Sequence, residues 1–87
     1  NVARGAIWDE GDVADAILDG TIGGMACDVF SQEPLPKEHA FNKILDKENV
    51  ILTPHMAWGS FESRTRCFNT VLSNIEAFLD GREQNLV

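Results

Sequence analysis

The chain has no concentration of positive charge, no long apolar run and no cysteine pattern, and each absence removes a class of function. Its 7 Lys and Arg are scattered among 14 Asp and Glu, for a formal charge of −7. Neutralising a phosphate backbone needs clustered cations, so nucleic acid is not an expected partner. No stretch is apolar over the roughly 20 residues that a membrane-spanning helix requires, so no membrane partner is expected either. Cys27 and Cys67 stand far apart, without Cys-x-x-Cys spacing or a His/Cys group suited to zinc. Both read as reduced, buried thiols of a cytoplasmic protein, and no metal is expected. Residue 1 is Asn and no signal-peptide pattern follows it, which suggests a soluble, intracellular piece of a larger protein. With 87 residues and no staple, a free-standing domain would bury only a limited share of its surface.

Periodicity and punctuation organise what is there. Asp9 can cap a helix over 11–19 that turns Val13, Ala16 and Ile17 to a core, with Gly20 ending it in a left-handed conformation. Residues 22–30 are small and apolar without polar alternation, as in a parallel strand covered on both faces. Pro34 and Pro36 break regular structure, and 35–49 reads as a loop with one helical turn anchored by Phe41, Ile44 and Leu45. A second strand over 50–53 stops at Pro54, and Gly59-Ser60 introduces a long helix whose Phe61, Phe68, Leu72, Ile75 and Leu79 recur at helical spacing. Asp80-Gly81 closes it. With Asn1-Val2-Ala3 as the tail of a further strand, the alternation is that of an α/β doubly wound parallel sheet. Glu10 and most other acids read as solvated surface, His39 as solvated loop, and Met25, Met56 and the phenylalanine stripe as core.

In such sheets ligands sit beyond the carboxyl ends of the strands, and three side chains of complementary chemistry fall there. Arg4 follows the first strand-like segment, Glu33 the second and His55 the third. A fixed planar cation can grip a carboxylate, an imidazole carries protons near neutral pH, and a carboxylate beside it favours the imidazolium. Together they suit acid/base chemistry on a small acid. Asp28 ends the second strand and reads either as part of the site or as the cap of a following turn.

The stretches NVARG, GMACDVFSQEPLP and NVILTPHMAW, followed by a long helix, resemble in order the carboxyl-terminal portion of the cofactor domain of D-isomer-specific 2-hydroxyacid dehydrogenases. The resemblance implies a Rossmann-like fold, with residues 1–58 as part of the NAD-binding domain and 59–87 as a terminal helix packing toward a substrate domain outside this sequence. It implies that Arg4 holds the substrate carboxylate, that His55 exchanges the hydroxyl proton, and that Glu33 hydrogen-bonds the imidazole. Asp28, Val2, Ala3, Arg4, His55, Met56, Ala57 and Trp58 would lie at the nicotinamide end of NAD or NADP. Trp58 could equally pack at a subunit contact. The implied partner is a small 2-hydroxy or 2-keto acid, and the implied assembly a homodimer. HMAWGSFESR leans toward the glycerate dehydrogenase and hydroxypyruvate reductase branch, whereas Trp8 and Trp58 depart from the smaller residues common in the family.

The glycine-rich phosphate loop, and the acidic or basic residue that would choose between NAD and NADP, are expected upstream. Two other readings stand beside the enzyme: a corepressor-like protein that binds the cofactor and acts through protein contacts, and an autonomous structural domain with an inert triad.

Overall fold

Two short strands, β1 (Met25–Cys27) and β2 (Val50–Leu52), pair in parallel with Met25 opposite Val50, Ala26 opposite Ile51 and Cys27 opposite Leu52. They belong to a computed structural model that describes all of residues 1–87. On the other edge of β1, Asn1 brackets Cys27 as a third parallel strand would: its nitrogen donates to Ala26 O at 2.7 Å and its carbonyl accepts from the Asp28 amide at 2.9 Å. The order across the sheet is therefore Asn1, β1, β2. Residues 1–3 make this ladder contact through Asn1 alone and form no regular strand, contrary to the expected strand tail.

The 22–30 stretch also contains less strand than its apolar run suggests. Asn49 decides where pairing starts: its carbonyl takes the Met25 amide and its side chain bonds Gly23 O. At the other end Asp28 turns its carboxylate to other donors, described below. Nor is the sheet covered on both faces. Cys27 is buried against the helix side, while Ala26 is exposed and Ile51 is 61% exposed, because nothing within residues 1–57 packs on that side.

The covered side is closed by α1 (Glu10–Leu18) and a short 3₁₀ turn over Ala40–Ile44. Asp9 starts α1 as expected, its carboxylate accepting from the Gly11 and Asp12 amides, and Gly20 at φ 81° supplies the left-handed exit. The buried stripe is Ala14 and Ile17, with Ala16 only half-buried, so the helix is rotated from the expected Val13, Ala16, Ile17 face. Phe41 and Ile44 fill the space between helix and sheet, each contributing about 1.5–3 kcal/mol from apolar burial. Trp8, Phe30 and His39 surround the Phe41 ring edge to face, at centroid distances of 6.3, 6.2 and 5.0 Å. Leu45, expected as a third anchor, faces outward.

Residues 1–57 and 58–87 form separate units. In the second, α2 (Phe61–Leu79) begins on Ser60, whose hydroxyl accepts the Ser63 amide, and ends at Asp80. Only Ala77 is buried along it. The stripe of Phe61, Phe68, Leu72, Ile75 and Leu79 is exposed, as are Met56 and Cys67, which corrects the expectation of core for the first six and of a buried thiol for the last. Helical spacing specifies that these side chains share a face; it does not supply the surface to cover them.

One close approach ties the fold to the chemistry. A Cβ on Gly5 would stand 2.1 Å from both Phe30 C and Ser31 N, so the segment after Arg4 packs backbone to backbone on the segment before Glu33. Gly5→Ala is expected to lower stability by about 1–3 kcal/mol or more, since the obstacle is main chain rather than a movable side chain. Urea denaturation followed by circular dichroism measures it.

Candidate functional site

The turn after β2 is built around a buried carboxylate. Asp28 is 3% exposed, and its Oδ1 accepts from the Thr53 hydroxyl and the Met56 amide (2.7 Å), its Oδ2 from the Ala57 amide (2.8 Å). These bonds fold residues 53–57 back over the end of β1. Within the turn His55 sits at φ 57°, left-handed backbone that costs a residue with a Cβ about 1–2 kcal/mol. Its amide donates to Thr53 O at 3.0 Å, and the two amides that follow it are the ones fixed by Asp28.

Asp28 therefore caps the turn, one of the two roles open to it from sequence. The Thr53 hydroxyl, with the Ala57 and Met56 amides and the nearby His55, holds its carboxyl below the usual 3.8 against the opposing effect of burial. Thr53 itself was not anticipated, although a Thr immediately before Pro-His at a strand end is the signal that could have found it.

Held in this way, the His55 ring meets Glu33. Nδ1 lies 2.7 Å from Glu33 Oε2, with the side chains 40% and 36% exposed. The other Glu33 oxygen accepts the Phe30 amide at 2.9 Å, so the carboxylate is fixed at both ends. Hydrogen bonds from His55 and Phe30, together with the charges of His55 and Arg4, lower the Glu33 carboxyl from its ordinary value. An ionised carboxylate can only accept, so Nδ1 carries the proton of that bond.

Arg4 stands at the same end of the sheet, three residues beyond the Asn1 pairing with β1. Its Nη1 donates to Ala3 O at 2.7 Å, and its charge acts on Glu33 without forming an ion pair. The structure thus joins Glu33 to His55 directly and brings Arg4 to them through its field. Val2 and Ala3 are exposed beside Arg4, and Met56 and Ala57 are fixed by their amides. Trp58 opens the second unit and is exposed. Next to the pair lies an apolar cavity of about 360 Å³, bordered by Phe30, Leu35, Leu45 and Leu52 as well as by Glu33 and His55.

Two residues read as solvated are not. Behind the Glu33 segment, His39 and Glu10 have side chains only 7% and 10% exposed and meet at 2.9 Å. Cys27, by contrast, takes no part: its thiol donates to Val29 O, and burial pushes it up from its usual value, leaving an unreactive neutral thiol.

Because the Asp28 carboxyl is lowered in the folded chain, its stabilisation is present above about 3.8 and is lost as pH falls through the lower folded value. Asp28→Asn should therefore be less stable than the parent chain at pH 7, and the gap should close as pH drops below 4. Chemical denaturation at a series of pH values tests this; a gap constant with pH would contradict the capping role.

The family described as "D-isomer specific 2-hydroxyacid dehydrogenase, NAD binding domain" matches residues 1–57. The chain is 44% identical over all 87 residues to the glycerate dehydrogenase of Methylorubrum extorquens, covering 27% of that protein. It is 37% identical over 87 residues to the hydroxypyruvate reductase of Blautia hydrogenotrophica, covering 26% of it. Among solved structures, the NADPH-dependent glyoxylate/hydroxypyruvate reductase of Sinorhizobium meliloti in complex with NADP and sulfate superposes with a TM-score of 0.73 at 32% identity, over 98% of this chain and 25% of that one. The chain spans about a quarter of the length of the curated relatives it matches. Its parallel pair and long helix are part of the Rossmann-like α/β fold of those structures. A matched segment covering most of the chain, carried on this fold, places the protein in the D-isomer-specific 2-hydroxyacid dehydrogenase family, within its NAD-binding domain.

Proposed function

We propose that the chain provides the acid/base pair and the carboxylate grip of an NAD(P)-dependent oxidoreductase that interconverts a small D-2-hydroxy acid and its 2-keto acid. The substrate is of the glycerate, hydroxypyruvate, glyoxylate or 3-phosphoglycerate type, a class supported by the names of the relatives. The observation that carries the reading is the 2.7 Å bond of His55 Nδ1 to an ionised Glu33 at the carboxyl end of a parallel strand, with Arg4 charging the same place.

In ketone reduction the imidazolium of His55 gives its Nε2 proton to the carbonyl oxygen as hydride reaches the adjacent carbon, and the same ring takes the proton back in oxidation. Glu33 fixes the ring's tautomer and orientation. Arg4, through its planar donor fork, holds the substrate carboxylate.

The residues present fit the nicotinamide end of the cofactor. Asp28 has accepting capacity beyond its three bonds, and the exposed Val2 offers an apolar surface to a flat ring. With Ala3, Arg4 and the 55–58 stretch they would hold that end, and the bound group supplies or accepts the hydride. No Gly-x-Gly-x-x-Gly motif for the pyrophosphate occurs in the sequence.

Residues 59–87 are assigned to a helix that packs toward the substrate domain, a role its exposed apolar stripe supports. The two unpaired thiols support a reducing, cytoplasmic location, and the family resemblance supports a homodimer.

In the enzyme at the length of its relatives, His55→Ala is expected to lower turnover by about 10²–10⁴-fold with cofactor still bound. Turnover equal to that of the parent would favour a binding protein instead. Arg4→Lys is expected to raise the KM for the keto acid more than it lowers kcat, because a point charge cannot reproduce a two-pronged donor. Glu33→Gln is expected to lower kcat, since the neutral amide no longer fixes the tautomer and orientation of the ring. Steady-state kinetics with hydroxypyruvate and glyoxylate measures all three.

A further inference from the structure

Glu33 reaches His55 from a segment with no regular structure, whose neighbours are Pro34 and Pro36. Something must hold that segment, and a buried polar cluster lies directly behind it. Glu10, the first residue of α1, accepts the Ser31 amide on Oε1 at 2.8 Å. Its Oε2 accepts both the Ser31 hydroxyl and Nε2–H of His39, the latter at 2.9 Å. The His39 tautomer follows from its other nitrogen, which accepts the Phe41 amide at 3.1 Å and so cannot carry a proton.

Burial alone would raise the Glu10 carboxyl. The Ser31 and His39 hydrogen bonds outweigh it and hold the group below its ordinary value. The Gly5 backbone also lies so close to Phe30 and Ser31 that a Cβ there would overlap their peptide. The peptide at 30–31 is thereby fixed between α1 and the Arg4 segment. One residue before Ser31, the Phe30 amide is the group that anchors Glu33 Oε1.

An apolar pair could close the core between α1 and the 3₁₀ turn without the desolvation cost of a carboxylate and an imidazole. What an apolar pair could not supply is a directional tether on the Ser31 peptide. We propose that Glu10, assisted by Ser31 and His39, is a positioning residue that acts through the 30–33 segment to hold Glu33 against His55. The inference rests on the reading of His55 and Glu33 as the acid/base pair, and it assigns to that pair a support reaching from the start of the first helix.

The ring tautomer of His55 reads this directly. In the 87-residue chain, long-range ¹H–¹⁵N spectra recorded above the histidine titration should show the Nδ1–H form, and Glu33→Gln serves as the reference for its loss. Glu10→Gln and Ser31→Ala should each shift the population toward the Nε2–H form that free imidazole favours. In the double variant with Glu33→Gln, Glu10→Gln should cause no further shift.

An unchanged His55 tautomer in folded Glu10→Gln overturns the proposal. Should that variant fail to fold, an unchanged tautomer in folded Ser31→Ala and His39→Gln does the same. A cluster serving stability alone would lower the denaturation midpoint and leave the tautomer where it was. Should His55→Ala leave turnover untouched, the acid/base reading fails, while the ring spectra still decide whether Glu10 holds Glu33.

Discussion

The arrangement at the carboxyl end of the sheet depends on one carboxylate with three donors. Asp28 leaves β1 and accepts from Thr53, Met56 and Ala57, so a single side chain determines where the chain goes after β2. Without it the Met56 and Ala57 amides would have to find partners elsewhere, and the turn that keeps His55 in left-handed backbone would lose three of its bonds. The bond of His55 to Glu33 is a consequence of this capping. The same residue is both the end of one strand and the lock on the exit from the next, which makes the pairing register of β1 and β2 a condition for that bond.

Polar groups just below the surface do the specifying here, and apolar groups do the filling. Phe41, Ile44, Ile17 and Cys27 supply burial but would tolerate sliding by a fraction of an ångström. Asp28 under the His55 turn and Glu10 under the Ser31 peptide each bind backbone amides, whose directions are fixed by the chain itself. Gly5 adds steric exclusion where the two segments touch. Arg4, Glu33 and His55 come from three separate stretches, and each is placed by main-chain contacts of its neighbours rather than by its own packing.

Much of this was legible from residue order. Asp9, Gly20, Ser60 and Gly59 mark helix ends by chemistry that acts within a few residues, and α1 and α2 lie within one residue of their expected limits. The location of Glu33 and His55 beyond the carboxyl ends of β1 and β2 was legible too, because Pro34 and Pro54 bar either residue from a strand. What failed depended on distant partners. Glu10 and His39 looked solvated because their local sequence is polar, and only a contact across 29 residues makes them a buried pair. The α2 stripe looked like core because periodicity records which face is apolar, not whether anything lies against it. The 22–30 run looked like a long strand because apolarity alone does not show where a hydrogen-bonded partner begins and ends.

The backbone at position 55 prefers a different residue from the one the proposed chemistry requires. Asparagine, or glycine, would sit in that left-handed conformation with less strain. A lineage drifting under selection for robustness alone would tend to replace the imidazole with one of them, and a library screened only for thermal resistance would enrich the same change. The histidine stands where the main chain resists it, so the proposed proton exchange and the local conformational gradient pull in opposite directions at this position.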